Sequence, residues 1–451
     1  MGVLGGIVYF LLALGILVTI HELGHFLMAR ACKVKVLRFS LGFGPVILQK
    51  TGKDGCEYAI SAIPLGGYVK MEGENSPQED TTELAPDSFK AKSVWQRALI
   101  IFAGPFFNIA LAVILFTVVN LSGIQERLPV VGDVVPHSLA SESGFAVYDK
   151  IDSIKDKKVD NWSDFVFALI ENLGAEHVTV SVSGDLGRGA TRTLNLNLKD
   201  INLERNESPL EKIGLKICYG NITTVLDAVM ENSPAYAAGL RVNDEIISIN
   251  DLKVNSWYRL QDEILNSHFK ELNLVVKRDG KLYSTKVKPE PRYDKEKKID
   301  RPFLGIGAKV IPLEGLTSLH KYTLTEGFIK ACKDAAMMSK LVVVSAYKLL
   351  NGTISADNIS GPIAIAKGAQ ESAQFGFVMF LSFLAAISVN LGILNLIPIP
   401  VLDGGQLVFL AYEAVMGKEP SAGVQRMLTA IGAGLLLTLT IFAIFNDIKG
   451  L

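Results

Sequence analysis

Residues 18–30 read VTIHELGHFLMAR and close an apolar run that begins at Val3. An ionisable side chain inside such a run costs a few kcal/mol unless it is paired or ligating. Here His21, Glu22 and His25 fall within a single helical turn and a half. On a helix, positions i and i+4 share a face, so His21 and His25 present two imidazoles to one point, with Glu22 beside them. H-E-x-x-H on a helix is the arrangement in which two histidines hold zinc and the glutamate serves as general base. The same desolvation cost argues against three residues that merely cap a membrane helix.

Three further stretches are long enough to cross a bilayer, which takes about 20 apolar residues. They are residues 98–119, 375–399 and 427–445. The first run lacks a basic leader and a small-residue cleavage site, so it reads as a retained helix and not a signal peptide. A chain of 451 residues exceeds one ordinary domain. Its net charge of −1 gives no hint of nucleic acid. Cys32, Cys56, Cys218 and Cys332 lie far apart, with neither zinc-ribbon spacing nor a disulfide framework.

Short loops rich in Lys and Arg stay in the cytoplasm. The segment from Arg30 to Arg97 is rich in both, and the last loop carries Lys418 and Arg426. Four spans then put both termini and the long middle region outside, in the periplasm of a Gram-negative cell.

That middle region repeats. Residues 134–162, VVPHSLASESGFAVYDKIDSIKDKKVDNW, align with residues 229–257, VMENSPAYAAGLRVNDEIISINDLKVNSW, at a constant offset of 95. Ser138/Ser233, Gly144/Gly239, Asp149/Asp244, Ile151/Ile246 and Trp162/Trp257 are among the identities. A gapless offset means two copies of one supersecondary unit. The pattern looks like the PDZ domain of bacterial proteases, which binds extended segments by strand addition; two spacer domains with closed grooves are the alternative. Residues 36–50 and 57–71 flank the turn TGKDG and read as an unusually apolar hairpin. The acidic residues 72–87 read as mobile. Residues 326–352 form a helical pattern with Lys330, Lys333, Lys340 and Lys348 among apolar positions. This is either a helix at the membrane surface or a soluble one packed on the second repeat.

Catalytic zinc takes three protein ligands and keeps one position open. No third histidine follows HELGH closely. The candidate lies in NLGILNLIPIPVLDGGQL, residues 390–407, where Asp403 is the only acid within or bordering the third apolar stretch. Pro398 and Pro400 break the helix, and Gly404 with Gly405 permits close backbone approach. The first and third spans both end on the cytoplasmic side, which brings His21, His25 and Asp403 to similar depth.

HELGH together with N-x-x-P-x-P-x-L-D-G-G resembles the site-2 protease family of intramembrane zinc metalloproteases, the M50 peptidase type. Two PDZ-like repeats between the second and third of four spans point to its bacterial two-PDZ branch, which regulates sigma-E. So do FSLGFGP (39–45), SAIPLGGYVKM (61–71), FAGPFFN (102–108) and ISGPIAIA (359–366). The resemblance implies one zinc per chain on His21, His25 and Asp403, with Glu22 as general base. It places Asn390, Asn395, Pro398 and Pro400 near substrate, and Gly67 and Tyr68 on a hairpin edge that binds substrate backbone. Gly104, Asn108 and Gly404 would be structural. Asn395 also reads as interhelical glue, and for Asn108 that reading is the stronger.

The fold expected is a multi-domain membrane protein. Four transmembrane α-helices (1–30, 96–122, 373–404, 426–446) carry a membrane-associated cytoplasmic β-hairpin within 31–95. Two tandem α+β PDZ-like domains (123–218, 219–311) lie on the periplasmic side. An amphipathic surface region (312–372), a cytoplasmic loop (405–425) and a periplasmic tail (447–451) complete it. The implied setting is the bacterial inner membrane. The implied substrates are single-span proteins already trimmed by an upstream site-1 protease: an anti-sigma factor of the envelope stress response, and remnant signal peptides. The PDZ pair would act as a size filter. Two rivals are a membrane-anchored PDZ adaptor with structural zinc, and an ion transporter. Against the transporter, the polar residues cluster at one depth instead of crossing the bilayer.

Overall fold

The computed structural model describes residues 3–74, 85–204, 207–294 and 299–450. Most of the acidic stretch expected to be mobile (75–84) and the last residue of the expected tail lie outside the described residues. The chain forms two units. One holds the residues up to 124 with 320–351 and 359–450; the other holds 125–319 with 352–358.

In the first unit, Val3–Ala31, Val94–Ser122, Phe377–Asn395 and Ala422–Gly450 are helices long and apolar enough to cross a membrane. They are apolar nearly all round, as helices surrounded by lipid or protein are. The second begins at a capping box made by Ser93 and Gln96. It is the hub of the unit, packing on the first and third and on the Leu324–Leu350 and Asp403–Met416 helices. Glycines permit the close approaches. A Cβ on Gly24 would fall 2.4 Å from the Ala103 carbonyl, and one on Gly392 would fall 3.0 Å from that of Pro105.

Strands β1 (Val36–Thr51) and β2 (Glu57–Met71) form the expected antiparallel hairpin. Its base buries Val36, Phe39, Val69 and Met71 with Phe26 and Ile100 of the helices. Its far half exposes Phe43, Ile47, Leu48, Ile60 and Ile63.

Three boundaries differ from expectation. The third apolar helix ends at Asn395, and the chain leaves helical geometry over 396–402. The expected loop 405–425 is instead largely a helix, Asp403–Met416, closed by Gly417 at φ +70°. The proline pair breaks the helix, but the residues after Gly405 are good helix formers and start a new one. The fourth helix runs to Gly450, through the expected tail. Near its end Asp447 accepts the N–H groups of Gly361, Ile363 and Ala364 at 2.9–3.0 Å. A carboxylate thus caps the Pro362–Gln374 helix of the ISGPIAIA segment.

The helix expected over 326–352 spans Leu324–Leu350 and belongs to the first unit, not to the unit that holds the repeats. Asn120 Nδ2 donates to the Gly327 carbonyl at 3.1 Å, and Ala335 packs among Ala112, Ala385 and Val389.

The second unit contains two copies of one module. The first comprises β3 (Val131–Val134), β4 (Lys150–Ile154), the helix Trp162–Asn172, β5 (Val178–Ser183), β6 (Thr191–Leu196) and β7 (Leu215–Ile217). The second comprises β8 (Asn221–Val229), β9 (Glu245–Ile249), the helix Trp257–Leu265, β10 (Leu272–Arg278) and β11 (Lys281–Val287). It continues through a hairpin, β12 (Glu290–Asp294) and β13 (Ile299–Phe303), into β14 (Ile306–Ile311). Its main sheet runs β11-β10-β9-β8-β14. The repeated residues do the same work twice. Ile151/Ile246, Ile154/Ile249, Val159/Val254 and Trp162/Trp257 are buried in the two cores. Ser138 and Ser233 each cap a short helix. Gly214 and Gly305, both at positive φ, each pack on that serine, where a Cβ would collide.

Asp149 and Asp244 each pair with an arginine, Arg192 at 2.6 Å and Arg278 at 2.7 Å. Burial alone would raise the Asp244 carboxyl, but hydrogen bonds from Arg278 and from the Arg241 N–H reverse this and hold it below its ordinary value. A depressed carboxylate contributes stability above its unfolded pKa and loses it as pH falls through the folded one. Arg278→Ala should therefore destabilise the second module by about 3 kcal/mol at neutral pH. In denaturant unfolding, that deficit should shrink once pH drops below the ordinary carboxylate range.

Candidate metal centre

HELGH lies in the last third of the first helix, where the side chains of His21 and His25 face the second helix and the start of the Asp403 helix. His21 and Glu22 are both 8% exposed. His25 Nδ1 lies 2.9 Å from the Ile100 carbonyl. A carbonyl only accepts, so Nδ1 carries the proton and Nε2 keeps its lone pair for a ligand. His21 Nδ1 lies 3.1 Å from the Asn108 side-chain amide. With the amide nitrogen facing the ring, Asn108 Oδ1 is buried without a partner. Turning the amide over gives that oxygen the Nδ1 proton and leaves His21 Nε2 free as well.

The free atoms converge. His21 Nε2 is 3.2 Å from His25 Nε2 and 3.1 Å from Asp403 Oδ2, and His25 Nε2 is 3.7 Å from Asp403 Oδ1. Tetrahedral zinc with bonds of about 2.0–2.1 Å needs ligand atoms roughly 3.3 Å apart. Asp403 Oδ2 is moreover buried with no hydrogen bond among the described residues. Two lone-pair nitrogens and an orphaned carboxylate oxygen at these spacings fit a divalent cation. Among the described residues they form one three-ligand cluster.

Glycines shape the centre. A Cβ on Gly104 would lie 2.3 Å from His25 Nε2, so only glycine leaves the ring its place. Gly404 lies under the broken segment, where a Cβ would meet the Leu396 and Ile397 carbonyls at 2.3 and 2.4 Å. This packing fixes the helix start from which Asp403 projects. Gly67 lies on β2 against the first helix. A Cβ there would fall 2.8 Å from the Ser40 carbonyl, 2.9 Å from Glu22 Cγ and 3.0 Å from Val18 Cγ1. It seats the hairpin against the stem of Glu22. Tyr68 accepts a hydrogen bond from Arg38 at 3.2 Å and stacks on Phe43.

The other expected residues divide. Asn395 Nδ2 reaches His21 Nε2 at 3.5 Å, at the edge of the ligand set. Asn390 is half-buried on the same helix, and Pro398 is exposed in the break. Pro400 packs beside Gly432 of the fourth helix.

Sequence reasoning missed Arg97. It is 5% exposed and binds Glu413 at 2.5 Å and Glu419 at 3.1 Å, tying the Asp403–Met416 helix to the helix that carries Gly104 and Asn108. An arginine bordering an apolar run was the available signal. Arg97→Met would leave two carboxylates facing each other, and should cost about 3–5 kcal/mol. Thermal unfolding in detergent would measure it, with Arg97→Lys retaining part of the loss.

Comparison with known proteins supplies the family. Residues 9–439 match Peptidase family M50. The chain is 39% identical over 444 residues to the regulator of sigma E protease of Haemophilus influenzae, covering 97% of both chains. It is 38% identical over 444 residues to the regulator of sigma-E protease RseP of Escherichia coli, covering 98% of both. A Vibrio cholerae protein provisionally named a zinc metalloprotease is 37% identical over 448 residues, 99% of this chain and 98% of that one. With a zinc-compatible ligand set beside a buried glutamate and a match of this extent, the chain belongs to peptidase family M50 and is a zinc metalloendopeptidase.

Proposed function

We propose that the enzyme cleaves peptide bonds inside the transmembrane segment of single-span membrane proteins already trimmed outside the membrane. One observation carries this reading: His21 and His25 stand on a helix long and apolar enough to cross a membrane, and Asp403 follows closely on the end of another. Zinc held by His21, His25 and Asp403 would lower the pKa of water towards 7 and polarise a carbonyl. Glu22 takes the proton of the attacking water and passes it to the leaving amine. Ile100 and Asn108 hold the imidazoles, and Gly67 holds the Glu22 stem.

A substrate helix has its carbonyls tied in i to i−4 bonds and must unwind before attack, while lipid offers no replacement partners. The hairpin and the Asn395 amide supply them. The apolar far half of the hairpin suits a place in the membrane, near its cytoplasmic face. The two modules are PDZ-like and periplasmic, and filter substrates by size. The relatives are named for regulation of sigma-E; on this reading the substrate is an anti-sigma factor and the setting the bacterial inner membrane.

The test is cleavage of a trimmed single-span substrate by purified protein, with the cut read by mass spectrometry. A cut within the apolar segment is expected; cuts only outside it would refute the reading. For the filter, deletion of residues 125–310 should allow cleavage of substrates with intact external domains, and unchanged discrimination would refute it.

A further inference from the structure

A serine or threonine inside a helix readily bonds its hydroxyl to the carbonyl one turn earlier. Thr19, Thr117, Ser122, Thr438 and Thr440 do so in the first, second and fourth apolar helices, each donating to the carbonyl four residues before it. Ser388, in the third, crosses instead to the second helix and donates to the Asn108 carbonyl at 2.7 Å. Both residues are fully buried. Asn108 therefore holds two elements at once: its backbone takes the Ser388 hydroxyl, and its side-chain amide meets His21 Nδ1 at 3.1 Å.

Ser388, Gly392 and Asn395 follow at i, i+4 and i+7 and share one face of their helix. A Cβ on Gly392 would fall 3.0 Å from the Pro105 carbonyl and 3.1 Å from Ile109 Cγ1, so the second and third helices meet closely here. Beyond Asn395 the break is tied to the helix end. The N–H groups of Leu396, Ile397, Ile399 and Leu402 donate to the carbonyls of Ile393, Leu394, Ile397 and Ile399 at 2.7–3.1 Å. Gly404 and Gly405 rest on the Leu396, Ile397 and Ile399 carbonyls, where a Cβ would collide. An axial slide of the third helix is thus passed on to Asp403. One residue of slide is about 1.5 Å, whereas metal ligands must fall within about 0.2 Å of their proper distances. The second helix sets the histidines through Ile100 and Asn108, and the third sets the carboxylate. Their register decides whether all three ligands reach one ion. Arg97 works from the far part of the Asp403–Met416 helix, at Glu413, while Ser388 works from the residue that orients His21.

We propose that Ser388 is a positioning residue of the metal centre, its hydroxyl keeping Asp403 in register with the two histidines. The proposal rests on the reading of His21, His25 and Asp403 as ligands and adds what brings them to one point. Without the hydroxyl the helices still pack, but the metal-free protein samples registers in which Asp403 is out of reach. Apparent zinc affinity then falls in proportion to the binding-competent fraction.

The test is zinc affinity of the purified full-length protein in detergent, by competition with a chromophoric chelator, with thermal unfolding of the metal-free form alongside. Ser388→Ala removes one oxygen and leaves the Asn108 carbonyl its place in its own helix. Affinity should fall about three- to twentyfold, the range that cross-helix hydrogen bonds supply in membrane proteins. Asn120→Ala is the matched control, since it deletes another donor from the second helix, to the Gly327 carbonyl at 3.1 Å. It should lower thermal stability at least as much and leave zinc affinity unchanged. Asp403→Ala should weaken zinc more than Ser388→Ala does, and adding Ser388→Ala to it should cost nothing further, because the hydroxyl acts through that carboxylate. Unchanged affinity in Ser388→Ala, an equal loss in Asn120→Ala, or a Ser388→Ala loss that persists in the Asp403→Ala background would overturn the proposal while the ligand reading stands. Affinity indifferent to Asp403→Ala would overturn the ligand reading, and the proposal with it.

Discussion

Glu22→Gln is expected to lower cleavage of a trimmed single-span substrate by about a hundred- to ten-thousand-fold, the usual contribution of a general acid–base group, with zinc content unchanged. Glutamine keeps the shape of the side chain whose stem lies against Gly67, so the hairpin stays seated. It does not alter the three ligands, whose geometry depends on Ile100, Asn108 and the Gly404 turn. What it removes is a carboxylate able to take a proton. The loss should fall on kcat and not on KM, because the group acts on the attacking water and not on substrate binding. Metal analysis and single-turnover cleavage on one preparation decide the matter. Lost zinc would make Glu22 part of the metal site, and unimpaired cleavage would remove it from the chemistry.

The sequence was most informative where composition made residues expensive. Histidine, glutamate and aspartate in apolar runs need a partner, so His21, Glu22, His25 and Asp403 stood out from hundreds of positions. The expected M50 family is the one the comparisons show. The repeat was legible because two copies kept one offset through cores, caps and a buried aspartate. Less legible was anything that depends on which surfaces meet. The prolines at 398 and 400 mark where a helix stops but do not say that another starts at Asp403. An amphipathic pattern over Leu324–Leu350 names no partner, and its partners turned out to be two other apolar helices. Gly67 read as part of a hairpin edge, and no sequence pattern tells that its missing side chain leaves room on the face turned to Glu22. Arg97 finds its carboxylates more than 300 positions away, at Glu413 and Glu419, a pairing no local pattern encodes.

Gly104→Ala separates this packing account from one in which the FAGPFFN segment serves only to join helices. Alanine favours a helix over glycine by about 1 kcal/mol, so helix joining alone predicts a neutral or stabilised protein. The structure predicts the opposite at the metal. The new Cβ would sit 2.3 Å from His25 Nε2 and 2.5 Å from Cε1, far inside contact distance. The ring cannot slide aside cheaply, because Nδ1 is tied to the Ile100 carbonyl one helical turn earlier on the same helix. Either that hydrogen bond breaks or the helices part at the Gly24–Ala103 contact. Both displace a ligand nitrogen, and losses of about 10- to 100-fold in metal affinity accompany smaller disturbances around such sites. Gly15→Ala is the matched control: it lies on the HELGH helix, a Cβ there meets nothing within 4 Å, and zinc affinity should be unchanged. Competition with a chelator of known affinity reads both variants without recourse to activity. Equal zinc affinity in the two would mean that His25 does not depend on the space Gly104 leaves, and would remove the second helix from the metal centre.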